Sequence, residues 1–180
     1  MILDKMNFGP NFCSFIKTLY TDISSSLIIN GFISPPFYPS RGVRQGCPLS
    51  PLLYVIFMEP FADAVRASPS IIGVNLPGSN IQCKLLQYAD DSTATLTDSK
   101  SIINLLNVMD RFGLASGSRL NRDKSLGFWV GKWKSRTDAP GHIPWTANSI
   151  KVNGIILSNS DMSLINWKRA LSRYKDKINP

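Results

Sequence analysis

The sequence predicts an α+β domain, with helices segregated from an antiparallel sheet. Three observations predict it. Apolar residues recur at helical spacing in four segments, and turn signals join short β-prone runs between them. The composition, 43% hydrophobic and 18% charged, is that of a chain able to bury a core rather than stay disordered. At 180 residues the chain has the length of about one domain.

Phe12, Phe15, Ile16, Leu19 and Ile23 follow Gly9-Pro10 at helical spacing and predict a first helix. Asn30-Gly31 stands between Ser26-Leu27-Ile28-Ile29 and Phe32-Ile33, a strong hairpin signal because both turn residues must accept positive φ. Pro35, Pro36 and Pro39 bar residues 34–40 from an interior strand. Ser50-Pro51 predicts a second helix, with the hydroxyl capping and proline in the first turn, continuing through Leu53, Phe57, Phe61 and Val65. Pro60 removes one of its backbone hydrogen bonds and should kink it.

Residues 81–86 and 92–96 are strand-like and meet at Tyr88-Ala89-Asp90-Asp91. Ser99 opens a third helix, apolar at Ile102, Leu105, Leu106, Met109 and Phe112, which Gly117 can end in left-handed backbone. A basic, less regular stretch covers 119–136, and 152–157 reads as a strand. The last helix carries Trp167, Ala170, Leu171, Tyr174 and Ile178 on one face. Lys168, Arg169, Arg173, Lys175 and Lys177 lie mostly on the other.

Charge is uneven along the chain. Residues 1–118 hold eight Lys/Arg and eight Asp/Glu, whereas 119–180 hold twelve against four, so the whole net +8 lies in the last third. Such a region suits a polyanion, nucleic acid above all, or is a solvated basic surface; composition alone leaves both open. Cys13, Cys47 and Cys83 are far apart, without the close ligand spacing of a zinc site, and read as reduced thiols packed as small apolar residues. The longest apolar run, 49–58, is far short of the ~20 residues a membrane span needs. No basic region leads into an apolar run at the start, so the expectation is an intracellular protein without a membrane partner.

Three segments carry chemistry. Asp90 and Asp91 place two mutually repelling carboxylates at a hairpin tip, a repulsion that a divalent cation relieves; an Asp pair is also common in ordinary turns. In Arg41-Gly42-Val43-Arg44-Gln45-Gly46-Cys47-Pro48-Leu49-Ser50-Pro51, the glycines permit close backbone approach and Arg41, Arg44 and Gln45 offer donors to phosphate, sugar or base. Lys124, within Ser116-Gly117-Ser118-Arg119-Leu120-Asn121-Arg122-Asp123-Lys124-Ser125, could protonate a leaving pyrophosphate or simply belong to a solvated loop.

Taken in this order, the three segments resemble successive motifs of the reverse transcriptases of non-LTR (LINE-type) retrotransposons and group II introns. Val152-Asn153-Gly154-Ile155 resembles the strand that grips the primer end, although leucine is more usual than Asn153, and Asn166-Trp167 resembles the start of the thumb. The resemblance implies a reverse-transcriptase palm over 1–160 and the beginning of the thumb over 161–180. It also implies RNA-directed DNA polymerase activity with two Mg²⁺ ions and dNTP substrates on an RNA template and DNA primer. By match, Asp90 and Asp91 are metal ligands and catalytic, with Lys124 as the acid. Arg41, Arg44, Gln45, Gly46 and Tyr88 line the nucleotide and template side. Gly154 belongs to the primer grip, and Arg119 and Arg122 meet the nucleic-acid backbone. Family members carry a further metal-binding Asp on a neighbouring strand. Asp4 and Asp22 are the only acidic residues before Glu59, and neither lies in a strand-like run. The expectation is therefore a segment lacking that strand and the fingers, partnered by the upstream part of the same polyprotein and inactive alone. The alternative is a non-catalytic nucleic-acid-binding remnant of a mobile element.

Overall fold

The structure, a computed structural model, describes residues 2–40 and 42–178. It divides into two compact units, Met1–Ala62 and Asp63–Pro180. In the first unit, α1 (Ile2–Lys5) and α2 (Pro10–Leu19) lead into a hairpin of β1 (Ile28–Ile29) and β2 (Phe32–Ile33), and α3 (Ser50–Ala67) begins near the unit's end. Pro10 starts α2 where its missing N–H costs nothing. Leu3, Cys13 and Ile16 form the core, with Phe8, Phe12, Tyr20, Leu49, Leu53 and Ile56 packed on them. The buried stripe of α2 is thus rotated from the one expected. Phe15 stays 56% exposed because the cover comes from the side of Cys13 and Tyr20. Asn30 (φ 49°) and Gly31 (φ 83°) make the expected positive-φ turn, pairing Ile29 with Phe32.

Ser50 departs from expectation. It is the first residue of α3, buried, and its Oγ shares a hydrogen bond with the Tyr20 hydroxyl at 3.1 Å rather than serving only as a cap. Pro60 lies within α3 as the sequence indicated, and Phe61, Ala62 and Val65 beyond it are buried.

In the second unit, β3 (Val74–Asn75) pairs antiparallel with β4 (Gln82–Cys83), and β5 (Leu85–Tyr88) with β6 (Asp91–Ala94). The expected strands 81–86 and 92–96 are replaced by a run that changes partner at Lys84. Gly73 explains the change, since a Cβ there would overlap the Cys83 carbonyl oxygen. Only glycine lets the two backbones meet so closely. The Lys84 ammonium leaves the strand side and donates to the carbonyls of Arg66 and Ser68 at the end of α3, the favoured place for a cation.

Next is α4 (Ser99–Ser116), which buries Ser101, Ile102 and Leu106. Ser99 opens it as expected, and its cap is Asp98, accepting from the Ser101 N–H at 2.8 Å and the Ser101 hydroxyl at 2.6 Å. These bonds, the hydroxyl first, hold the Asp98 carboxyl below its usual range. Gly117 ends the helix at φ 76°. Then β7 (Gly127–Phe128) runs parallel to β8 (Trp145–Thr146), and β9 (Ser149–Val152) turns back into β10 (Ile155–Ser158) before α5 (Ser163–Ile178). The single strand expected over 152–157 is a hairpin: Asn153 (φ 47°) and Gly154 (φ 86°) form the same positive-φ turn as Asn30-Gly31.

The expected mixture of helices and mostly antiparallel strands holds. Among the described residues, however, the strands form five two-stranded pairs, one of them parallel, rather than one antiparallel sheet. A single bridge, Gly73 to Leu96, links the β3–β4 and β5–β6 neighbourhoods. Within the described residues no helix is long and apolar enough to cross a membrane.

The core of this unit gathers Ile102 and Leu106 of α4 around Trp129. The Trp129 ring stacks on Trp145 at 4.0 Å and on Trp133 at 5.8 Å between centroids. The Arg136 guanidinium lies 4.4 Å from the Trp129 ring and 4.2 Å from Trp133. It also donates to Ser99 Oγ at 2.7 Å and pairs with Asp138. A basic residue of the irregular stretch is thereby committed to structure.

Candidate active site and nucleic-acid interface

The two-residue turn between β5 and β6 brings Tyr88, Asp90 and Asp91 together. Tyr88 and Asp91 are opposite one another in register, and Ala89-Asp90 makes the turn. The Gln87 amide donates across the ladder to Ser92 Oγ at 3.2 Å, and Thr95 Oγ1 donates to the Cys83 carbonyl at 2.7 Å. Below the tip, the Leu85–Ala94 pair is half-buried. The tip itself is open: Tyr88 is 72% exposed and both carboxylates are exposed. Ala89 takes φ 51°, a region where a Cβ costs roughly 1–2 kcal/mol. The backbone is thus held in an unfavourable conformation immediately before Asp90, which the sequence reading did not foresee.

Among the described residues, no third His, Cys, Asp or Glu stands with this pair in a metal-sized cluster. Mg²⁺ commonly takes one or two protein carboxylates and completes its shell with water and substrate phosphates. Asp90 and Asp91 fit one such ion; two ions need further ligands.

The loop before α3 belongs to the other unit. Arg41 lies outside the described residues. Arg44, Gln45 and Gly46 are exposed, and Gly42 (φ 93°) and Gly46 (φ 84°) adopt left-handed backbone with open space where a side chain would stand. The Cys47 N–H bonds to the Arg44 carbonyl at 3.4 Å and the Ser50 N–H to the Cys47 carbonyl at 3.1 Å. The Leu49 backbone N–H, aided by Ser50 and the Arg44 charge, holds the Cys47 thiol below its usual pKa. Part of the donor capacity at the start of α3 is therefore already directed at sulfur. Burial, with the Asp4 carboxylate, pushes the Cys13 thiol up. Iodoacetamide at pH 8 should accordingly modify Cys47 well before Cys13, as read by peptide mass spectrometry. Equal rates would show that the loop does not hold its amides on the sulfur.

The remaining candidates lie on separate turns of the second unit. Asn121 organises one: its Oδ1 accepts from the Lys124 N–H at 3.2 Å and its carbonyl from Ser125 Oγ at 2.7 Å. The side chains of Arg119 and Lys124 are exposed. Arg122 is half-buried and donates through Nη1 to the Gly141 carbonyl, so part of its guanidinium serves the fold. Among the described residues no hydrogen bond joins Lys124 to the Tyr88–Asp91 tip. Gly154 sits in the β9–β10 turn, where the Arg173 guanidinium comes within 3.9 Å of the place its Cβ would occupy. Arg173 was not among the sequence candidates, although its i,i+4 spacing from Arg169 was visible.

Comparison with known proteins finds the family that the sequence resembles. The family described as reverse transcriptase (RNA-dependent DNA polymerase) matches residues 3–157. The chain is 33% identical over 158 residues, 87% of its length, to the transposon TX1 uncharacterized 149 kDa protein of Xenopus laevis. It is 32% identical over 113 residues, 63% of its length, to a retrovirus-related Pol polyprotein from the type-2 retrotransposable element R2DM of Drosophila melanogaster. An uncharacterized mitochondrial protein of Arabidopsis thaliana is 33% identical over 70 residues, 37% of this chain. The matched regions make up 12%, 10% and 57% of those three relatives.

Proposed function

The chain belongs to the reverse transcriptase (RNA-dependent DNA polymerase) family, with relatives among non-LTR retrotransposon proteins, and on that premise we propose that it is the palm segment of an RNA-directed DNA polymerase. Residues 1–160 serve as the palm and 161–180 as the start of the thumb. The observation that carries the reading is the exposed Tyr88–Asp91 tip, with two adjacent carboxylates on an antiparallel hairpin inside the matched region. Asp90 and Asp91 would hold Mg²⁺, which would supply electrostatic stabilisation to nucleotidyl transfer. Tyr88 packs beside the primer terminus. By motif match, Arg41, Arg44, Gln45 and Gly46 are assigned to dNTP and template, Lys124 to the pyrophosphate, and Arg119 and Arg122 to the nucleic-acid backbone. Gly154 lies at the primer end.

Two ions need a ligand beyond Asp90 and Asp91, and phosphoryl transfer depends almost wholly on positioning and electrostatics. The 180-residue chain alone therefore does not polymerise. The test is primer extension on an RNA template with Mg²⁺ and dNTPs. The chain alone should give no product. Fused to the sequence that flanks the matched segment in the Xenopus laevis protein, it should extend the primer. A folded fusion that binds RNA–DNA duplex without extending it would favour a second reading, a non-catalytic nucleic-acid-binding remnant, for which the basic last third is the supporting observation.

A further inference from the structure

The β5–β6 hairpin is held at its base. Residues 86–92 are exposed, whereas 83–85 and 93–96 are half-buried. Lys84 stands where β5 begins and is the sole charged residue between Arg66 and Asp90. Its stem crosses Gly73, where an added Cβ would overlap Lys84 Cγ. Its Nζ donates to the Arg66 carbonyl at 2.9 Å and the Ser68 carbonyl at 2.7 Å. The last carbonyls of a helix lack intrahelical partners and carry partial negative charge, so they fix an ammonium in both distance and direction. The Lys84 backbone in turn holds the opposite strand. Its carbonyl accepts from the Thr95 N–H at 3.1 Å, and Thr95 Oγ1 donates to the neighbouring Cys83 carbonyl at 2.7 Å.

We propose that Lys84 is a positioning residue for nucleotidyl transfer: by clamping the base of the hairpin to the end of α3, it sets where the Tyr88–Asp91 tip points. The inference rests on the polymerase reading and adds to it a residue that touches neither metal nor substrate. At about 3.3 Å per residue the tip stands roughly 13 Å from Lys84, so a tilt of about 5° at the base moves the carboxylates by about 1 Å. That separation exceeds the screening length of about 10 Å at 0.1 M salt, so Lys84 acts on the tip through geometry and not through its charge.

The test is steady-state primer extension by the fusion described above. Lys84→Met keeps the stem and removes the ammonium. It should lower kcat about 10²-fold, the loss that about 1 Å of misplacement brings, with KM for dNTP within a few-fold. Lys84→Arg, a cation with donors for both carbonyls, should recover kcat to within several-fold. Asn104→Leu is the control for mere loosening: it removes the amide that donates to the Ser70 carbonyl at 2.7 Å in the same connection and leaves the clamp intact. It should lower the melting temperature and spare kcat. Should Lys84→Met not fold, Lys84→Gln, one bond too short to reach, carries the same expectation. Unchanged kcat without the ammonium would overturn the clamp alone, as would an equal kcat loss in Asn104→Leu or no recovery in Lys84→Arg. A folded unaltered fusion that extends no primer would overturn the polymerase reading and the clamp's role with it.

Discussion

Trp129→Ala is expected to destabilise the second unit by about 3–5 kcal/mol, the range for removing a large buried aromatic side chain. Trp129 is 5% exposed, packs with Ile102 and Leu106, and is stacked on two other indoles. Its loss also leaves Arg136 with one aromatic face instead of two. Trp129→Phe should cost much less. The indole Nε1 is buried with no hydrogen-bond partner among the described residues, so phenylalanine removes an unsatisfied donor while keeping a ring. Urea unfolding followed by far-ultraviolet circular dichroism measures both. Equal losses in the two variants would mean that the indole hydrogen-bonds after all, or that the stack is not the core of this unit.

Asp90→Asn should reduce RNA-templated synthesis by the fusion proposed above by roughly 10³-fold or more. Losing a metal-borne stabilisation of several kcal/mol has that effect on rate. Asparagine preserves shape and turn propensity, so the hairpin should keep its register and the protein its melting temperature. The distinction matters because Ala89 already holds the turn at positive φ, and a substitution that relaxed it would confuse fold with chemistry. Activity within a few-fold of wild type would remove Asp90 from the site.

Local signals were the legible ones. Asn30-Gly31, Pro10 and Gly117 each acted through backbone preferences of one or two residues, which tertiary packing did not overrule. Asn153-Gly154 is the same signal as Asn30-Gly31 and was available; reading 152–157 as one strand passed over it. The start of α4 at Ser99 was legible too, whereas its cap, Asp98, was not singled out. Other features depend on contacts distant in sequence. The partner change at Lys84 needs the approach of Gly73 to Cys83, and the Arg136 clamp joins Trp129 and Trp133 to Ser99, 37 residues before Arg136. Within the candidate site, Tyr88-Ala89-Asp90-Asp91 was readable because all of it is contiguous. The anchoring of that hairpin by Lys84 was not, because Lys84 and the end of α3 meet only in the fold.

A divalent-cation site at the β5–β6 tip is detectable with Mn²⁺ without requiring catalysis. Mn²⁺ broadens the resonances of amides near it in a ¹⁵N-correlated spectrum of the intact chain. Broadening should centre on Ala89, Asp90, Asp91 and Ser92, be competed by Mg²⁺, and vanish in Asp90→Asn with Asp91→Asn while the remaining spectrum is unchanged. Broadening that leaves the tip untouched, or that persists there in the double variant, would contradict it.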